Sequence, residues 1–145
     1  ADVLVVAAPN ARRAREEYKV DEAALVRAMR DRIHFALNIV DALGHKQVVL
    51  GAWGCGVFGW EAELVSELFR EELASGSHGI ELAIFAVPRD RFNENLACFE
   101  HVLSTFPERN QVSFADALAE RRAAEQAAAA AEEDDGEEDD WRKYL

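Results

Sequence analysis

Methionine, proline, cysteine and basic side chains are all scarce in this chain, and each scarcity excludes something. There are two cysteines, Cys55 and Cys98. Neither has a partner at metal-ligand spacing, and two distant thiols make no disulfide framework. Reduced thiols suit a reducing compartment, so the cytoplasm or nucleus is the expected location. No apolar run approaches the ~20 residues of a membrane span, and no charged-then-apolar leader is present, so no membrane partner is expected. The four histidines, His34, His45, His78 and His101, form no motif. No metal site and no cofactor are therefore expected. Bases are outnumbered 16 to 28 by acids, a net charge of −12, which argues against direct binding of nucleic acid. That acidity is local: EEDDGEEDD, residues 132–140, holds eight carboxylates, and without them the remainder is about −4, ordinary for a small domain. The single methionine is Met29 and residue 1 is alanine, so the chain is expected to be a piece of something longer.

What is present suits one compact domain: 145 residues, half of them apolar and 30% charged. Val3 to Ala8 is a continuous apolar, β-branched run of the kind buried on both faces of a parallel sheet, and Pro9-Asn10 ends it. Residues 11–20 have no clear period and read as a loop with a possible turn of helix. Asp21 is a plausible N-cap for a helix running to Leu43, with Leu25, Met29, Ile33, Ala36, Leu37 and Val40 at spacings of three and four, and Gly44 closes it. Gln47 to Leu50 reads as a second strand. A helix is predicted over 61–73, a third strand over 80–87 stopped by Pro88, and a helix over 93–106 stopped by Pro107.

Strands alternating with helices imply βαβ units, hence an α/β fold with about three parallel strands and right-handed crossovers. A first strand this apolar has nothing before it to pair with, and exposed apolar edges are an aggregation hazard. The fold is thus expected to be an incomplete domain over residues 1–123. A last helix from Phe114 turns alanine-rich and then acidic, and residues 124–145 are expected to be a fraying helix running into an acidic, disordered tail.

Four of the eight glycines fall within nine residues, Gly51-Ala52-Trp53-Gly54-Cys55-Gly56-Val57-Phe58-Gly59. The segment leaves the carboxyl end of the predicted second strand and enters a helix, the place where open α/β sheets bind ligands. Glycines let backbone approach a ligand closely, and successive inward amides near a helix N-terminus form an anion nest. A phosphate or diphosphate site follows without any lysine. The alternative is a turn that merely packs helix on sheet. Trp53 and Phe58 weaken it, since aromatic faces beside a phosphate cradle suit a ribose or base, although Trp53 could equally be core, and Phe58 less readily. Cys55 has no histidine near it in sequence and reads as a small residue tolerated in a tight loop, not a nucleophile.

Gly54 to Gly59 also fits G-x-G-x-x-G. The first fingerprint glycine belongs in the turn at the strand's end, whereas Gly54 comes four residues after Leu50. The longer string LGAWGCGVFG, residues 50–59, is more specific. It resembles the diphosphate loop of the microbial-type poly(ADP-ribose) glycohydrolases, a branch of the macrodomain superfamily. AAPN at 7–10, ELVSELFREEL after the loop, IFAV and NENLACFE agree, so that the resemblance covers about residues 2–106.

The resemblance implies a macrodomain-like three-layer α/β/α fold that binds ADP-ribose and cleaves ribose–ribose O-glycosidic bonds in poly(ADP-ribose). By it, residues 51–59 contact ADP-ribose. Amides of Gly54, Cys55, Gly56 and Val57 hold the diphosphate, Phe58 lies against the distal ribose and Asn10 borders the pocket. The expected partners are ADP-ribose or poly(ADP-ribose) on modified proteins, together with a missing N-terminal half of the domain. Two departures stand out. Trp60 occupies a position where the family usually has asparagine. The family's triple glycine followed by Gln-Glu-Glu, whose glutamate is the general acid, has no counterpart, so no catalytic residue is assigned. The competing functions are a non-enzymatic ADP-ribose reader, a fragment of a Rossmann-type NAD-binding oxidoreductase, and an interaction module using the acidic tail.

Overall fold

The computed structural model describes residues 1–137. These form two units, Ala1–Asn110 and a second beginning at Gln111. In the first, the order is α1 (Ala11–Glu16), α2 (Glu22–Ala42), β1 (Gln47–Leu50), α3 (Ala62–Ala74), β2 (Leu82–Phe85) and α4 (Asn95–Leu103). The class is mixed α/β, as the alternation of patterns predicts.

Local chemistry sets the ends of the long helix. The Asp21 carboxylate accepts from the Ala24 amide at 3.1 Å, satisfying one of the donors a helix start leaves open. Past the other end, Gly44 takes φ +73°, a left-handed conformation that closes the helix without a Cβ penalty. Between these caps α2 buries Leu25, Met29, Ile33, Ala36 and Leu37, the periodic positions. All of these except Ala36 join Val65, Leu68 and Phe69 of α3 and Phe99 of α4 in one core. Each large side chain so buried contributes roughly 1.5–3 kcal/mol.

β1 and β2 pair in parallel, with Val48 opposite Ala83 and Leu50 opposite Phe85. Phe85 meets Phe69 edge-on at 5.3 Å and Phe99 at 5.5 Å between ring centroids. Alternate residues face the other way: Val49, Leu82 and Ile84 are exposed, so that the sheet is half-buried and not covered on both faces.

The expected first strand is a correction. Val3 to Ala8 forms no strand among the described residues, so the sheet has two strands instead of three. Val3 is 88% and Val5 92% exposed. The segment is tied at both ends, His45 Nε2 to Asp2 Oδ2 at 2.7 Å and the Arg32 guanidinium donating to the Ala7 carbonyl at 3.0 Å. Between it and β1 lies a cleft of about 630 Å³, lined by Val3, Leu4, Val6, Leu37 and Val49 among others, and reaching Gly51 and Trp53. The run has β-forming composition but makes no ladder bond among the described residues.

The second unit carries α5, Phe114–Glu137. Ser113 Oγ accepts from the Asp116 amide at 3.2 Å and so caps it. This unit begins at Gln111, and its helix runs through residue 124 to Glu137. Alanine has the highest intrinsic helix propensity, and Arg121 lies 3.6 Å from Glu125 one turn on. Residues 138–145, with Trp141, Tyr144 and the end of the acidic run, lie outside the described residues.

Candidate functional site

The glycine-rich segment leaves β1 and enters α3 through a chain of tight turns. Inside it, Trp53 N donates to Gly51 O at 2.8 Å, Cys55 N to Ala52 O at 3.1 Å, Gly59 N to Gly56 O at 3.0 Å and Trp60 N to Gly54 O at 3.1 Å. Gly54 and Gly59 adopt φ +81° and +73°, the left-handed region that a side chain strains. The backbone therefore turns on itself repeatedly, through bonds that span two, three, three and six residues.

These turns use some amides and leave others. Among the described residues, the amides of Gly54, Gly56, Val57 and Phe58 donate to no protein acceptor. Gly56 is exposed and Val57 is 78% exposed, so this stretch faces solvent. Backbone N–H groups left without a protein acceptor can donate to an anionic oxygen. A Cβ on Gly56 would meet nothing within 4 Å. The amide of Cys55, by contrast, is occupied by its turn.

Three tethers from the N-terminal segment fix the loop's far end. The Trp60 indole donates to the Pro9 carbonyl at 2.7 Å, the Arg12 amide to Phe58 O at 2.9 Å, and the Arg15 guanidinium to Gly59 O at 2.9 Å. Arg15 is itself paired with Glu22 and stands 5.9 Å from the Trp60 ring. Asn10 sits between these contacts as the N-cap of α1, its Oδ1 accepting from the Arg13 amide at 3.0 Å. That places Asn10 beside the loop, with its side-chain oxygen already engaged.

The aromatics divide. Trp53 is half-buried against Phe69 at 6.4 Å and Phe58 packs partly on the core. Trp60, where the loop pattern departs from its expected form, is the most buried of the three at 3% exposure. Sequence inspection singled it out only as a departure, and Arg12 and Arg15 gave no signal, because their roles depend on a neighbour more than 40 positions away. The Cys55 thiol is pushed up to about 12 by burial and then by the charge of Glu61. It stays neutral near pH 7 and is a poor nucleophile there.

Away from the loop, the fold assembles three groups that no sequence spacing joins. His34 of α2 and His78 of the turn before β2 both point at Glu72 of α3.

No family model matches the sequence, and neither does any curated protein. Solved structures do match. Poly(ADP-ribose) glycohydrolase from Deinococcus radiodurans in complex with ADP-ribose superposes with a TM-score of 0.62 and 30% identity, over 68% of this chain and 40% of that one. The apo form of the same enzyme gives 0.62 and 29%, over 70% and 42%. Poly(ADP-ribose) glycohydrolase from Thermomonospora curvata gives 0.56 and 34%, over 63% and 34%. The chain thus spans about two fifths of the length of these relatives.

Proposed function

This chain is a structural relative of the microbial-type poly(ADP-ribose) glycohydrolases, and on that footing we propose that its glycine loop holds the diphosphate of ADP-ribose. The observation that carries this reading is the set of unpaired amides at Gly54, Gly56, Val57 and Phe58 on an otherwise self-bonded loop. Backbone donors bind phosphate oxygens without a cation. The uncapped N-terminus of α3, where Glu61 makes no side-chain cap, adds a weaker field of the same sign. Phe58 lies against the distal ribose, and Asn10 borders the pocket through its place beside the loop.

The reaction proposed for the complete domain is hydrolysis of the ribose–ribose bond in poly(ADP-ribose). It needs a carboxylic acid to protonate the departing oxygen. These 145 residues contain neither a triple glycine nor Gln-Glu-Glu, so the acid is proposed to come from additional chain. The cleft between residues 2–6 and β1 supports that reading. It runs along the edge of β1 that pairs with no strand among the described residues, and Val3, Leu4, Val48 and Val49 line it. One further apolar strand from the rest of the domain would pair with the open edge of β1 and stand beside the glycine loop.

The second reading is an ADP-ribose reader without turnover, favoured by the lack of the acid in these residues. A Rossmann-type oxidoreductase should prefer NAD. Calorimetric titration with ADP-ribose, NAD and AMP separates these. Micromolar binding, about −8 kcal/mol, that favours ADP-ribose and vanishes in Gly56→Glu supports the cradle. A cooperatively folded chain that binds none of the three refutes it for this polypeptide.

A further inference from the structure

We propose that His34, Glu72 and His78 form a binding site for a divalent transition metal of the zinc class, separate from the glycine loop. His34 Nδ1 lies 2.6 Å and His78 Nε2 2.8 Å from the same oxygen, Glu72 Oε1, and the three donor atoms fall within 4.8 Å of one another. Two imidazole nitrogens and one carboxylate are a zinc ligand set, with the fourth position left for water. Nitrogen donors favour zinc, cobalt or nickel over magnesium or calcium.

The surroundings orient these ligands. The other ring nitrogen of His78, Nδ1, faces Asp41 Oδ2. A proton held there leaves Nε2 as the donor atom, the carboxylate–histidine arrangement common behind metal ligands. Asp41 is in turn fixed by the Gly79 amide, which donates to its Oδ1 at 2.9 Å. The His78 side chain is 2% exposed, so its orientation is set by packing. His34 is half-exposed and opens the site to water. Its Nε2 lies 2.8 Å from the Asn38 amide, whose oxygen, once the amide turns over, can accept a hydrogen bond from Nε2–H and so leave Nδ1 unprotonated to ligate.

Without metal the three groups form a hydrogen-bonded chain through Glu72. Ligation at 2.0–2.2 Å sets tetrahedral neighbours about 3.3 Å apart. The carboxylate must then draw back by roughly half an ångström, within reach of a side-chain adjustment. The metal takes the place of the protons that the rings now present to Glu72 Oε1. It would add a ligand bridge between α2, α3 and the turn leading into β2, which already meet through the core, the Arg30–Glu71 ion pair and the Asp41–Gly79 bond.

The test uses the full, untagged chain after chelator treatment, titrated with zinc chloride by calorimetry and with cobalt(II) by visible absorption. The proposal expects one equivalent bound, a tetrahedral-type cobalt spectrum and a higher melting temperature that chelator reverses. His34→Ala and Glu72→Gln should each abolish all three signals. Because His34 is exposed, its variant keeps the core intact. Asp41→Asn should weaken binding by about 10–100-fold, while His45→Ala should bind as the parent does. Absence of zinc heat together with an unchanged melt in the parent chain overturns the site. So does binding that survives both His34→Ala and Glu72→Gln, or that is lost in His45→Ala.

Discussion

A Cβ placed on Gly54 would lie 2.6 Å from Cδ1 of Trp60 and 3.1 Å from Cβ of Ala8. The glycine and the indole are thus fitted to each other: the loop can turn at Gly54 only because it has no side chain, and Trp60 fills the space. Gly54→Ala combines that overlap with a left-handed φ, and should cost about 2–4 kcal/mol in urea unfolding. A loss below ~0.5 kcal/mol would mean that the loop and indole are not in contact.

Gly56 offers the opposite case. Its Cβ position is open and its φ lies outside the left-handed region, so Gly56→Glu should change stability by less than about 0.5 kcal/mol. It places a carboxylate where phosphate oxygens are proposed to sit. ADP-ribose affinity should fall by at least 100-fold while the melting curve stays in place.

Trp60→Phe keeps most of the packing and removes the bond from the indole to the Pro9 carbonyl, at a cost of about 1 kcal/mol or somewhat more for the buried carbonyl left behind. Trp60→Ala should cost roughly 3–5 kcal/mol. If the indole positions the loop, the Phe variant should also weaken ADP-ribose binding more than its stability loss explains. Equal binding in parent and Phe variant would confine Trp60 to packing.

The thiol of Cys55 gives a prediction in pH. Its folded value is raised to about 12, against 9.0 for a free thiol. The neutral form is therefore favoured by the fold. Its contribution to stability is complete below pH 9, and is lost as pH rises from there through 12, because the unfolded chain ionises first. Iodoacetamide should label Cys55 at pH 8 far more slowly in folded than in urea-unfolded chain. Rapid labelling of the folded chain at pH 8 would contradict the burial described here.

The sequence discloses features whose causes are local. Asp21 and Gly44 bracket α2 because a cap acts within a turn of where it stands. The glycine loop is legible because four glycines in nine residues are a backbone demand written directly in composition. Residues 3–8 mislead for the converse reason: β-branching reports a preference for extended backbone, while pairing depends on a neighbour elsewhere in the chain. Trp60 could be marked as unusual, but its partner, Pro9, is 51 positions away. His34, Glu72 and His78 stayed hidden because a helix, a second helix and a turn each supply one group, with no interval to detect. Alanine propensity carries α5 past residue 124 and on to Glu137.

The tethers from Pro9, Arg12 and Arg15 to the loop's far end span 44 to 51 residues. Contacts so distant along the chain form only after the intervening helix and strand have collapsed, since loop closure costs entropy before any contact returns it. The nine-residue loop as a free peptide should therefore show no preference for ADP-ribose over other anions. Its donor geometry rests on contacts from the N-terminal segment as well as on its own turns.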